Sequence, residues 1–285
     1  MNVVETPACL NCGSRLSGPF CAQCGQKRPS TDLTFREFLQ ETTHELTHWD
    51  GKVPGTLKAL FFRPGLLTVD FLAGRRARWL PPLRLYLICS IAFFVTRPVV
   101  EAITHRPMRE VARVSVTNQD GSTTLTPEMR QELEEGLPAR LFGSERLLRA
   151  AANSAQLNRE IETVLPKAMF VMLPIFGLLT LAAWRRRLPR YPAHLYVALH
   201  LHAAVFGALT VLTIAIGFFT SPIVLTMSTI AVFAYLLWYW LVAVRRIFND
   251  SWPKTIVKAA SIAVVYLLCV GAMSLLMLGF AILRM

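Results

Sequence analysis

Four cysteines, Cys9, Cys12, Cys21 and Cys24, stand in the run CLNCGSRLSGPFCAQCG. Two C-x-x-C pairs, each followed by a glycine (Gly13, Gly25), can bring four thiolates to the corners of a tetrahedron, the arrangement Zn2+ takes in structural sites. Glycine permits the tight turn that aims both sulfurs of a pair at one metal. Only eight residues separate the pairs, so the unit cannot build a core and bound metal must supply its folding energy. Four cysteine ligands leave no open position for substrate or water, so the expected cofactor is structural rather than catalytic Zn2+. The stretch 1–29 is polar and cysteine-rich, so no secretory signal peptide is expected and the paired motifs are expected to be a metal site in a reducing compartment and not a disulfide framework. Cys89 and Cys269 stand singly in apolar stretches and read as small hydrophobes.

Two further groups of residues could do chemistry. His44-Glu45-Leu46-Thr47-His48 matches H-E-x-x-H, in which two histidines one helical turn apart bind zinc and the glutamate acts as base. Its context opposes that reading. Phe35, Phe38, Leu39, Thr42, Leu46 and Trp49 form a helical apolar stripe, which turns His44 and His48 toward solvent. His200 and His202 lie within an apolar span, where ionisable groups are candidates for proton relay or substrate contact and otherwise bridge helices by hydrogen bonds. Two residues apart, they face different sides of a helix and make no ready metal pair.

The elements that must position these residues belong to a membrane. Of the 285 residues, 53% are apolar and 17% charged, against about 25% charged in soluble domains, and the mean hydropathy is +0.42. The expected fold is all-α: a bundle of about five transmembrane helices, spans 82–100, 165–184, 193–219, 222–244 and 255–283, carrying a small N-terminal zinc ribbon. The domain reading is 1–29 for the ribbon, 30–80 for amphipathic and interfacial helices, and 81–285 for the bundle, with an outer segment at 101–164. That segment holds a possible hairpin, VSVT–NQDG–STTLT. Helices are expected at Pro127–Glu135 and from Ser144 into the second span.

Charge sets the orientation. The connections that would lie on the side of the N-terminus hold 19 Lys and Arg against 8 Asp and Glu; the opposite side holds 11 against 10. Basic residues gather in cytoplasmic loops, so the N-terminus is expected inside and the C-terminus outside. The formal net charge of +12 is then a mark of topology, with no nucleic acid expected as partner.

Thr56–Leu72, broken at Pro64-Gly65, is apolar but interrupted by Lys58, Arg63 and Asp70. It reads as two short interfacial helices followed by the basic run Gly74-Arg75-Arg76-Ala77-Arg78. Arg75, Arg76, Arg78 and Arg84 could contact anionic headgroups, at about 1 kcal/mol each near the surface; positive-inside topology alone explains the same residues.

The order of the pieces, CxNCG…FCxxCGQK, LTFREFLQE, GTLKALFFRPG and FLAGRRARWLPPLRLYL, resembles an uncharacterised bacterial membrane-protein family, a domain of unknown function with an N-terminal four-cysteine zinc ribbon and an RPG…GxRxRxxPP signature. The resemblance covers roughly Cys9 to Leu87. It implies an inner-membrane location and brings no activity, ligand or catalytic residue.

The expectation is therefore a non-enzymatic inner-membrane protein, whose cytoplasmic zinc ribbon docks a protein partner or works with the basic segment on anionic lipid, and whose bundle anchors or senses. One alternative is a small transporter or lipid-handling protein using His200, His202 and Arg84 in a bundle cavity. Another is an H-E-x-x-H metalloprotease.

Overall fold

The computed structural model describes residues 8–27, 51–105, 116–117, 123–124, 143–145, 148 and 154–284. The HELTH sequence, the stripe around it and the helix expected at 127–135 lie outside the described residues. Seven helices are described: α1 (Val53–Phe62), α2 (Leu66–Leu72), α3 (Pro82–Thr104), α4 (Ser154–Trp184), α5 (Tyr191–Phe218), α6 (Pro222–Phe248) and α7 (Trp252–Arg284). Five of them are long and apolar enough to cross a membrane: α3, the Thr163–Trp184 part of α4, α5, α6 and α7. The protein is all-α and multi-pass. The first span continues through Pro98 to Thr104, and α4 runs unbroken through Pro166. In the expected hairpin, β1 (Val116–Thr117) pairs antiparallel with β2 (Thr123–Thr124), Val116 opposite Thr124.

The contacts divide the chain into two compact units, 1–107 with 173–263, and 108–172 with 264–285. The second holds the β1–β2 pair, the first part of α4 and the end of α7. The first contains every residue singled out for chemistry that the structure describes.

Within that first unit α5 is central. From Pro192 to Ala204 every residue is buried, as expected of a helix apolar all round. The span α3 packs along it, with Phe206 of α5 meeting Tyr86, Phe93 and Phe94 at ring separations of 5.7, 5.4 and 5.9 Å. Large side chains of α6 such as Ile223, Met227, Phe233 and Leu237 remain exposed, the surface a bilayer covers.

The short helices α1 and α2 form a hairpin seated against α5 and α6. Phe61 of α1 occupies the space beside Gly207, sixteen residues into α5 and so about 24 Å along it. The Tyr235 hydroxyl donates to the Phe61 carbonyl (2.8 Å), and the Arg246 guanidinium to the Pro64 carbonyl (2.6 Å). Gly65 has φ 75° and lies so close to α6 that a Cβ would stand 2.9 Å from the Ala243 carbonyl oxygen. Only glycine meets both demands, positive φ and close approach. The Pro-Gly break thus serves as the bend that lets Leu60, Leu67 and Phe71 be buried.

Candidate metal centre

Two turns of the same construction hold the cysteines. In the first, Gly13 donates its N–H to the Cys9 carbonyl (2.8 Å) and Cys9 donates to the Ser14 carbonyl (2.8 Å); in the second, Gly25 donates to Cys21 (2.8 Å) and Cys21 to Gln26 (2.9 Å). Both glycines have positive φ, 77° and 70°, which closes each turn and points its two sulfurs inward. The four Sγ atoms lie within 4.8 Å of one another, with Cys9–Cys24 at 3.6 Å and Cys12–Cys21 at 3.5 Å. Four sulfurs around one zinc at about 2.3 Å would lie roughly 3.8 Å apart, so the four thiols fit a single tetrahedral ion. All four are free cysteines. Their cluster can hold a metal ion, and among the described residues its buried hydrophobic side chains are Cys9, Leu16 and Cys21, too few for a core without one.

Ser14 lies among the sulfurs, its hydroxyl 2.9 Å from Cys12 and 3.1 Å from Cys21. Hydrogen bonding from Ser14 lowers the Cys12 thiol and brings Cys21 down to about 6. Cys24 is pushed up to about 11: its backbone hydrogen bond at Gln26 favours the thiolate, but burial and the three neighbouring thiols outweigh it. The Ser14 hydroxyl thus favours the thiolate at Cys12 and Cys21, the form in which a cysteine can ligate a metal.

The knuckle is docked on the basic loop that follows α2. Gln26, next after the second turn, donates from Nε2 to the Gly74 carbonyl (2.7 Å), while its Oε1 accepts from the successive backbone N–H groups of Arg76 (2.9 Å) and Ala77 (3.0 Å). Leu10 packs on Gly74, its Cδ1 standing close to where a Cβ would be.

The arginines of this loop are organised by Asp70, whose side chain is 2% exposed. Arg75 and Arg78 each pair with it at 2.6 Å, and the Trp79 indole donates to it at 2.8 Å. Burial would raise the Asp70 carboxyl, but the hydrogen bonds from Arg78, Arg75 and Trp79 outweigh it and hold the group below its ordinary 3.8. The side chains of Arg75 and Arg78 stay 39% and 57% exposed, free to meet an anion on their outer sides. Arg76 lies over Phe71 and Tyr196, 5.9 and 5.7 Å from the ring centres. Arg84 is buried in the first turn of α3.

A second acidic centre stands between α6 and α7. Asn249 ends α6 in the left-handed conformation (φ 50°) and turns Asp250 back toward α4. There Asp250 accepts from the Trp184 indole (2.9 Å) and from Lys258 (3.0 Å), and Arg187 lies 3.4 Å away. Here too burial opposes ionisation, while Lys258, Trp184 and Arg187 more than offset it, so the carboxyl stays below 3.8. Trp184 stacks on Phe248, with rings 4.3 Å apart and 5° from parallel.

His200 and His202 point apart, as their spacing requires. His200 Nδ1 lies 3.0 Å from the Thr68 hydroxyl and its ring meets Phe71 at 5.5 Å. The Nδ1–H of His202 donates to the Ala198 carbonyl (2.8 Å), and its ring meets Phe176 at 5.1 Å. The structure brings neither to the cysteines.

Gln26, Asp70 and Asp250 are the residues that sequence reasoning missed. Asp250 carries the clearer signal, since it is the sole acidic residue between the fourth and fifth spans.

Residues 50–94 match a family described as protein of unknown function (DUF3667). The match takes in α1, α2, the basic loop and the first half of α3, and leaves the four clustered cysteines outside. No curated protein and no solved structure matches the chain.

Proposed function

We propose that the protein is a non-enzymatic component of a bacterial inner membrane. Its N-terminus lies in the cytoplasm and its C-terminus in the periplasm, and a structural zinc ion is held by Cys9, Cys12, Cys21 and Cys24. The ribbon, together with the exposed sides of Arg75 and Arg78, forms a cytoplasmic docking face for a protein partner or anionic lipid, which the spans anchor. The observation that carries this reading is the sulfur cluster. Four thiolates at tetrahedral spacing would satisfy a zinc ion completely, and the same small unit lies against the basic loop through Gln26. The excess of Lys and Arg on the connections that share the N-terminal side supports the orientation.

Metal analysis of the purified chain tests it. One zinc per chain is expected, absent from Cys12→Ser, while Cys12→Ser still inserts in the membrane and an N-terminal tag stays closed to impermeant labels in intact cells. Zinc retained after replacement of all four cysteines would move the site to His44 and His48 and favour the protease reading.

A further inference from the structure

We propose that the four-cysteine knuckle is a metal-dependent latch on the basic loop: with the metal bound, Gln26 clamps Gly74–Ala77, and loss of the metal releases that stretch. The inference rests on the metal reading above and adds to it a consequence inside this chain.

The link is a short series of contacts. The second cysteine turn fixes Gln26 through its main chain, because the Cys21 N–H donates to the Gln26 carbonyl. That leaves the carboxamide free to serve the loop, and it uses both ends: one donated and two accepted hydrogen bonds, all to backbone groups of residues 74, 76 and 77. Gln26 is itself buried, with 8% exposed, so these bonds are shielded from competing water. Leu10, from the first cysteine turn, adds the apolar half of the joint against Gly74. Each of the two turns thus contributes one contact, and each turn's shape depends on cysteines that only a shared ion can hold together.

The loop has other ties: Asp70 holds the side chains of Arg75, Arg78 and Trp79, the N–H groups of Gly74, Arg75 and Trp79 donate to the Phe71, Asp70 and Arg76 carbonyls, and the Arg76 guanidinium lies over Phe71 and Tyr196. The backbone N–H groups of Arg76 and Ala77 donate to the Gln26 carboxamide oxygen. When the knuckle unfolds, these two adjacent donors and the Gly74 carbonyl turn to water, and the segment between Asp70 and Trp79 loses its middle support. A segment that gives up shielded backbone bonds opens locally more often. The arginines that would meet anionic headgroups therefore lie in a loop whose order depends on the sulfur site. A metal-loaded chain presents them in fixed positions; a stripped chain presents them on a mobile strand.

Limited trypsin digestion of the full chain in detergent micelles reads the latch, with cleavage after Arg75, Arg76 and Arg78 located by mass spectrometry. Zinc-loaded protein is expected to resist at these three bonds, and chelation to speed cleavage there about tenfold, the order expected for losing a small set of buried hydrogen bonds. Cleavage after Arg185 to Arg187 serves as the internal reference and should not change. Gln26→Ala is expected to keep one zinc per chain, because its main-chain bond to Cys21 remains, yet to be cut at the loop as fast as the chelated chain. Protein that holds zinc and resists equally with and without it overturns the latch and leaves the metal reading standing. So does Gln26→Ala that holds zinc and stays resistant. A chain that binds no metal overturns both.

Discussion

Asp70 and Asp250 solve one problem in two ways. Each is a nearly buried carboxylate that accepts an indole N–H, from Trp79 at 2.8 Å and from Trp184 at 2.9 Å, and each is flanked by two cations. The Asp70 centre is local: its partners Arg75, Arg78 and Trp79 all follow within nine residues. The Asp250 centre adds to one near partner, Lys258 eight residues on in α7, two from far along the chain: Trp184, 66 residues earlier at the end of α4, and Arg187 in the next connection. The first shapes a loop and the second fastens helix ends together. Chemistry alone does not set the role of a buried carboxylate; the sequence distance to its partners does.

The sharpest way to break this comparison is at the tryptophans. Trp184 is 1% exposed and stacked on Phe248, so Trp184→Ala should cost about 3–5 kcal/mol, the range for emptying a buried aromatic site. Thermal unfolding in detergent measures it. The same change at the half-buried Trp79 should cost clearly less, and equal losses would erase the distinction drawn here.

The carboxylates come next. Asp250→Ala strands Lys258 and the Trp184 N–H and is expected to cost about 2–3 kcal/mol, below the full value for a buried pair because both cations reach water. Asp70→Ala should lower global stability by about 1–2 kcal/mol, while its main effect is faster proteolysis within residues 73–80. Global melting that falls more in Asp70→Ala than in Asp250→Ala would invert the assignment.

The smallest effect is shared. Both carboxyls are held below 3.8 in the folded chain. A carboxyl with a depressed folded value stabilises above its unfolded pKa and loses that contribution as pH falls through the folded one. The melting temperature should therefore hold from pH 7 to about 4 and drop below it, with less of a drop in Asp250→Ala. A decline that begins well above pH 5 would point to other groups.

The same contrast explains what could be read from the residues alone. The five spans and the sulfur cluster are legible because each is a property of near neighbours: a continuous apolar run, or two C-x-x-C pairs eight residues apart. The run DFLAGRRARW even contains every member of the Asp70 centre, although Asp70 reads there as an interruption of apolar sequence. Nothing near Asp250 announces Trp184, 66 positions earlier. Gln26 is opaque for a similar reason: its carboxamide serves backbone groups about 50 positions away, and backbone acceptors and donors leave no trace in residue type. The Pro64-Gly65 break reads as an end to helix, but that the bend fits against the Ala243 backbone depends on a partner nearly 180 residues distant.

The seat of the α1–α2 hairpin sets an order on biogenesis. Thr68 waits for His200, 132 residues later, Phe61 for Tyr235, 174 later, and Pro64 for Arg246, 182 later. The hairpin leaves the ribosome long before any of these partners is made, and α3 enters the bilayer while its companion is still unsupported. The earliest of the described helices to be synthesised are thus among the last to find their place, and a nascent chain arrested before α6 would expose them to chaperone and protease.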